Sequence, residues 1–217
     1  MNDSTDTKTY DIVLLPGGSL TQKAIRLSEQ LSQTYATRFT LGKETNFPHY
    51  SLYMAQLDKH SAEKAKHHLA EIASAFPIFD LEATKYWQDP DEGFFEIQYK
   101  RTAALIALQE HIIASSNPLR KGRFLEFYPP GYTKEELEKQ LTGNALEQLY
   151  KYGYPEIGED YRPHMTFTRL TQSALEKTID TKLPSITEFS GMYPRLGLYV
   201  MGPNGTCVEK IAVFPLG

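Results

Sequence analysis

A single cysteine, Cys207, occurs among the 217 residues. No internal disulfide is therefore possible, and a cysteine-based metal centre is not expected. No apolar run approaches the roughly 18 residues that a membrane span requires. The first residues, Met1 to Lys8, are polar and lack the apolar core of a signal peptide. They read as a disordered tail, residues 1–8, and a cytoplasmic location follows as the default expectation. There is no excess of positive charge: 23 Lys and Arg stand against 27 Asp and Glu, for a net charge of −4. A protein that grips long nucleic acid usually presents a basic face. A small phosphate ligand needs only a few local cations and stays open. The one glycine-rich strand-to-helix turn, Gly17-Gly18-Ser19, has neither dinucleotide-fingerprint spacing nor the Gly-Lys-Ser/Thr of a phosphate loop, so it reads as a tight turn.

Hydrophobic residues make up 41% of the chain, enough for a sizeable core. Residues 9–217 are expected to form one bilobal domain. Tyr10 to Pro16 reads as a buried strand and about Leu20 to Tyr35 as a helix. Phe47 to Leu57 reads as a strand and about Ser61 to Phe76 as a helix that Pro77 ends. Ile78 to Trp87 and Gly93 to Lys100 form a hairpin about the turn Asp89 to Gly93. Thr102 to Ala114 is an apolar helix. Ser115 to Tyr132 is a long irregular segment that mixes Arg120, Lys121 and Arg123 with aromatics. Thr133 opens a capping box on a helix running to about Tyr152 and interrupted at Gly143. Tyr161 to Leu170 is a strand, about Ser173 to Thr178 a short helix, and Ile186 to Phe189 a brief strand. Arg195 to Met201 and Thr206 to Phe214 pair through an Asn-Gly turn. The order predicts an α+β protein of two pseudo-symmetric lobes. Each has antiparallel strands covered by helices on its outer face, with a groove between.

Two strands begin with nearly the same tetrapeptide: Pro48-His49-Tyr50-Ser51 and Pro163-His164-Met165-Thr166. His-x-Ser/Thr alone is cheap, since six histidines give about one such match by chance. The shared proline and the shared strand context carry the weight. Side chains two apart on a strand share a face. His49, Ser51 and Tyr53 are therefore expected on one face, and His164, Thr166 and Thr168 on another. If the faces meet, two imidazoles and two hydroxyls converge on one groove floor.

The motif pair and the flanking helix-then-hairpin order resemble the two-histidine (2H) phosphoesterase superfamily, which includes the 2′-5′ RNA ligase-like proteins and 2′,3′-cyclic nucleotide phosphodiesterases. Ser51 stands where that family more often has Thr. The resemblance implies metal-independent cleavage of a cyclic phosphodiester, with one histidine as base and the other as acid. Ser51 and Thr166 then hold the non-bridging phosphate oxygens. Family analogy makes His164 the base and His49 the acid. It implies no cofactor and no metal, a nucleotide or RNA-end phosphate as substrate, and no membrane partner. The chain is expected to be a monomer.

Candidate substrate-binding residues are Tyr53 and Thr168, by strand phase, Arg162, beside the second motif, and Arg120 and Arg123, in the long loop. A solvated surface role is the plainer reading of the basic residues. Two alternatives use the same fold: a non-catalytic nucleotide or RNA-end binding module, and a 2′-5′ RNA ligase. A metal hydrolase ranks below both, because the histidines lack ligand spacing in sequence.

Overall fold

The computed structural model describes residues 6–175, 179 and 182–217. In chain order the elements are β1 (Thr7–Leu15), α1 (Gly18–Thr34), β2 (Tyr50–Asp58), α2 (Lys59–Ala75), β3 (Phe79–Leu81), β4 (Ala83–Gln88), β5 (Phe94–Tyr99) and α3 (Ala103–Ser116). They continue with α4 (Lys134–Glu138), α5 (Gly143–Tyr152), β6 (His164–Arg169), α6 (Gln172–Leu175), β7 (Gly191–Tyr193), β8 (Arg195–Met201) and β9 (Cys207–Pro215). No described helix is long and apolar enough to cross a membrane.

The elements follow from local chemistry. In α1, Leu20, Ala24, Leu27 and Leu31 fall on one face and are buried, the helical period of an amphipathic stripe. Asp58 caps α2 by accepting the Ser61 amide at 2.8 Å, and Thr133 and Glu136 form the expected capping box on α4. Other expectations need correction. Thr7 and Lys8 lie in β1, paired with Asp58 and Leu57, so the disordered tail expected over residues 1–8 does not include them. The run 78–87 is two strands, because the chain changes partner at Glu82: β3 pairs with β7 and β4 with β5. Residues 186–189 form a 3₁₀ turn, not a strand; Ser185 and Glu188 cap it, and Phe189 is fully buried. The short helix expected over 173–178 is described as Gln172–Leu175, and its last three positions lie outside the described residues.

The architecture is α+β with two lobes. One sheet has the order β2-β1-β8-β9, the other β4-β5-β6, with the small β3-β7 pair beside them. Helices α2 and α3 pack on the first sheet and α1 on the second. Each histidine motif opens an edge strand, and these two edges, β2 and β6, approach each other at the seam. An edge strand leaves backbone groups unpaired, and here buried side chains satisfy several of them. The Tyr161 hydroxyl donates to the Ser51 carbonyl at 2.8 Å.

Both motif strands carry a β-bulge at the same motif position. Ile12 faces Tyr53 and Val13 faces Ser51, which leaves Leu52 as the extra residue. Phe95 faces Thr168 and Glu96 faces Thr166, which leaves Phe167 as the extra residue. A bulge breaks the two-residue alternation. Ser51 and Tyr53 therefore point to opposite faces, as do Thr166 and Thr168. Each bulge carbonyl is held from the covering helix. Gln109 Nε2 of α3 donates to Leu52 O at 3.0 Å, and Ser28 Oγ of α1 donates to Phe167 O at 2.6 Å.

Gln109 and Ser28 are fully buried. Gln109 also donates to Glu156 O at 3.2 Å, and its amide oxygen accepts the Gly158 amide. Replacing it by Leu strands one buried backbone carbonyl, Leu52 O, and two partly buried backbone groups; an unsatisfied buried group costs about 1–3 kcal/mol. Gln109→Leu is expected to lower the urea-unfolding free energy by at least about 2 kcal/mol, and Ser28→Ala by a similar amount. A change of less than about 0.5 kcal/mol in both, the size of an ordinary surface substitution, would show that the bulges need no such support.

Candidate active site

The groove between the lobes has a volume of about 360 Å³, and His49, Ser51, His164 and Thr166 all line it. The two histidines are mounted alike. His49 Nδ1 hydrogen-bonds the Phe47 carbonyl at 2.7 Å, and His164 Nδ1 the Arg162 carbonyl at 2.7 Å. Each acceptor is the residue before the motif proline. A proline has no amide proton for the sheet ladder and suits a strand's entry, where the chain bends enough to bring that carbonyl under the ring. With Nδ1 as donor, Nε2 is left to the groove.

Each Nε2 meets a buried carboxyl group from the neighbouring strand. His49 Nε2 is 3.6 Å from Asp11 Oδ2, on β1. His164 Nε2 is 3.7 Å from Glu96 Oε2, on β5. The surroundings of the two differ. Asp11 is fully buried; the Ser51 hydroxyl donates to its Oδ2 at 2.7 Å, and Oδ1 has no partner. Burial pushes its pKa up to about 8, against the smaller opposing effect of Ser51. Glu96 has company: Gln98 Nε2 donates to its Oε1 at 3.1 Å, and Arg162 Nη1 lies 3.6 Å from the same oxygen. Burial lowers His49 to about 4; repulsion from His164 adds to this, while the Phe47 and Gly205 carbonyls oppose it.

Of the expected substrate-binding residues, Arg162 lines the groove. It lies between Glu96 and Glu156 and over the Trp87 ring, 5.1 Å from its centroid. The others point elsewhere. Tyr53 is displaced by the bulge into the core, where its hydroxyl donates to Tyr152 O at 2.6 Å. Thr168 is turned the same way by the second bulge, is fully buried and donates to Phe39 O. Arg120 is buried and spends its guanidinium on Asn117 Oδ1, Arg123 O and Lys151 O. Arg123 pairs with Asp58 Oδ2 at 3.1 Å. The long loop instead supplies Tyr128, Pro129, Pro130 and Tyr132 to the groove wall, so its contribution is apolar surface.

Asp11, Glu96 and Trp87 also border the site, and none of them was expected there from the sequence. For the first two a signal existed. Each is a lone acid inside an otherwise apolar strand, YDIVLL and FFEIQY, a position where an unpaired charge is costly.

The fold is that of the 2H phosphoesterases. The solved structure of a phosphoesterase superposes with a TM-score of 0.59 at 12% identity, over 97% of this chain and 99% of that one. Escherichia coli LigT in its apo form gives 0.59 and 12% over 97% and 98%. A protein from Thermus thermophilus gives 0.56 and 13% over 96% and 97%. Comparison with curated protein sequences finds no match. A family profile described as "Protein of unknown function (DUF1045)" matches residues 54–191, and the chain belongs to that family.

The Asp11 carboxyl makes a prediction about stability. Its pKa rises from the ordinary 3.8 to about 8 on folding, so the folded state binds the extra proton between those limits. That contribution is complete below pH 3.8 and is lost as pH climbs through 8. His49 works in the opposite sense between about 4 and 6.5, so the window above pH 6.5 isolates Asp11. Wild-type stability is expected to fall by about 2 kcal/mol from pH 6.5 to 8 relative to Asp11→Asn. Paired urea-unfolding curves at the two pH values measure it; equal slopes for the two proteins would mean that Asp11 titrates normally.

Proposed function

We propose that this groove is the active site of a metal-independent phosphodiesterase that opens a cyclic phosphodiester of the 2′,3′-cyclic nucleotide or RNA-end type. The observation that carries the reading is the pair of identically mounted imidazoles, one from each lobe, on a single groove with a hydroxyl two residues after each. E. coli LigT, which shares the fold, has been crystallised with phosphate, with 3′-AMP and with ATP. The groove's acidic lining, with Asp89, Glu92, Glu156 and Asp160, favours a small substrate over a polyanionic strand.

The surroundings of the two histidines argue for roles opposite to those of the family analogy. His49 is neutral at pH 7 and its neighbour Asp11 is protonated, so Nε2 is free to accept a proton from water. His164 has the Glu96 carboxylate as counter-ion for an imidazolium. In the proposed step His49 takes the proton as the water oxygen bonds to phosphorus. The bond from phosphorus to the sugar oxygen breaks, and His164 protonates that oxygen. Thr166 donates to a non-bridging oxygen, where negative charge gathers, and Ser51 does the same once its hydroxyl turns from Asp11 to the phosphate.

The test is turnover of 2′,3′-cyclic nucleotides in EDTA. His49→Ala and His164→Ala are each expected to lose about 10²–10⁴-fold in kcat. Wild-type hydrolysis that survives both substitutions sinks the reading; nucleotide binding without turnover points to the binding module. The roles separate with a phosphodiester that has a p-nitrophenolate leaving group, which needs little protonation. His164→Ala should lose much less on that substrate than on the cyclic nucleotide, while His49→Ala loses as much on both. The reverse pattern restores His164 as the base.

A further inference from the structure

The first lobe brings together three donors that lie far apart in sequence. Asp11 comes from β1, His49 from the segment entering β2, and Cys207 from the first residue of β9. One donor atom from each lies within 4.8 Å of the others. We propose that these residues form a site for a thiophilic divalent ion, Zn²⁺ or its analogue Co²⁺, and that occupancy silences the groove by engaging His49.

The donor set is one carboxylate, one imidazole and one thiolate, a combination suited to zinc and its neighbours. Zinc holds sulfur at about 2.3 Å and imidazole nitrogen at about 2.0–2.1 Å in tetrahedral geometry, so the donors need to draw in by about 1 Å at most. A second observation points to a ligand. Asp11 is fully buried, yet its Oδ1 has no hydrogen-bond partner. A buried carboxyl group that is not fully hydrogen-bonded carries a desolvation cost, which a cation held by that group would offset. Cys207 is likewise fully buried, within reach of Asp11 and His49. Binding exchanges the Asp11 and Cys207 protons for the ion.

The supporting contacts are those of a metal site. The hydrogen bond from His49 Nδ1 to Phe47 O leaves Nε2 as the ligating nitrogen, and such outer partners fix a ligand's tautomer and orientation. The Phe47 amide donates to Cys207 O at 3.1 Å, which ties the His49 segment to the start of β9. Ser51 donates to Asp11 Oδ2. His49 lines the groove, so a fourth position opens toward water or a substrate phosphate. The trio leaves no ligand spacing in the sequence because no two of its members lie on one element.

The silencing half of this proposal rests on the proposed function; the binding half does not. Because the chain has one cysteine, a thiolate-to-cobalt charge-transfer band in the near ultraviolet reports Cys207 alone. The full-length protein, stripped with EDTA and desalted, is titrated with Co²⁺. A saturable band at one equivalent, bleached by Zn²⁺, is expected, with the band lost in Cys207→Ser and in Cys207→Ala. Asp11→Asn should weaken binding by at least tenfold. Circular dichroism establishes that each variant is folded, and Zn²⁺ should raise the melting temperature of the wild type but not of the Cys207 variants. Absence of the band in folded wild type, or Zn²⁺ stabilisation that persists in both Cys207 variants, overturns the site. If the protein hydrolyses cyclic nucleotides, one equivalent of Zn²⁺ should abolish turnover and EDTA restore it. Activity that persists with the cobalt band saturated refutes the silencing while leaving the site.

Discussion

A hydrogen bond across the seam holds the two halves of the groove in register. The Tyr161 hydroxyl donates to the Ser51 carbonyl, so the segment leading into the second histidine motif grips the backbone of the first. The ring of Tyr161 stands edge-on to Tyr50, the variable residue of the first motif, at 6.1 Å. Tyr50 also packs edge-on against Tyr99 and Tyr193, and the Tyr193 hydroxyl donates to that of Tyr99 at 2.6 Å. Tyrosine suits a seam of this kind because it fills volume like a core residue and still carries a directed polar group. Four interlocked rings from both lobes leave the edges of β2 and β6 little freedom to slide.

The bulges answer a different demand. An alternating strand that placed His and Ser on the groove would go on to place Tyr53 and Thr168 there. Inserting one residue after each hydroxyl ends the polar face after two side chains and returns the next one to the core. The cost is a distorted ladder with carbonyls turned away from it. Gln109 and Ser28 absorb that cost from helices on opposite lobes. Much of the buried polar structure thus exists to hold two short polar stretches in place.

The element order, the two lobes and the motif strands were legible because they rest on local signals: periodicity, capping residues and the repeated Pro-His. The placement of Tyr53 and Thr168 was not, since a bulge depends on pairing with a second strand and leaves no mark in the composition of the first. The 186–189 run misled for a related reason. Ile and Phe favour strands in isolation, but Phe189 is claimed by the aromatic core, where its ring lies 4.9 Å from that of Phe167. Arg120 and Arg123 looked available because their carbonyl and carboxylate partners, Lys151 O and Asp58 Oδ2, lie far along the chain. Asp11 and Glu96 were visible as anomalies in apolar strands, but their relation to the histidines needed the fold.

In the proposed acid–base reading, two similar motifs pose a chemical problem that the difference between the lobes resolves. Two histidines in identical surroundings would hold protons equally well, and neither would be committed as donor or acceptor. Acid–base pairs work when their environments push them apart. Here the framework is kept: the proline, the ring bonded to the preceding carbonyl, the hydroxyl and the bulge. The carboxyl neighbour is what changes. Asp11 is fully buried, across the ladder from Tyr199 and near Cys207, with no Lys or Arg beside it among the described ion pairs, and burial favours its protonated form. Glu96 lies where Arg162 and Gln98 support a charge. The same apolar burial that keeps the first histidine neutral also places a thiol beside it. The first lobe thereby acquires a donor set that the second, with no cysteine anywhere in it, does not have.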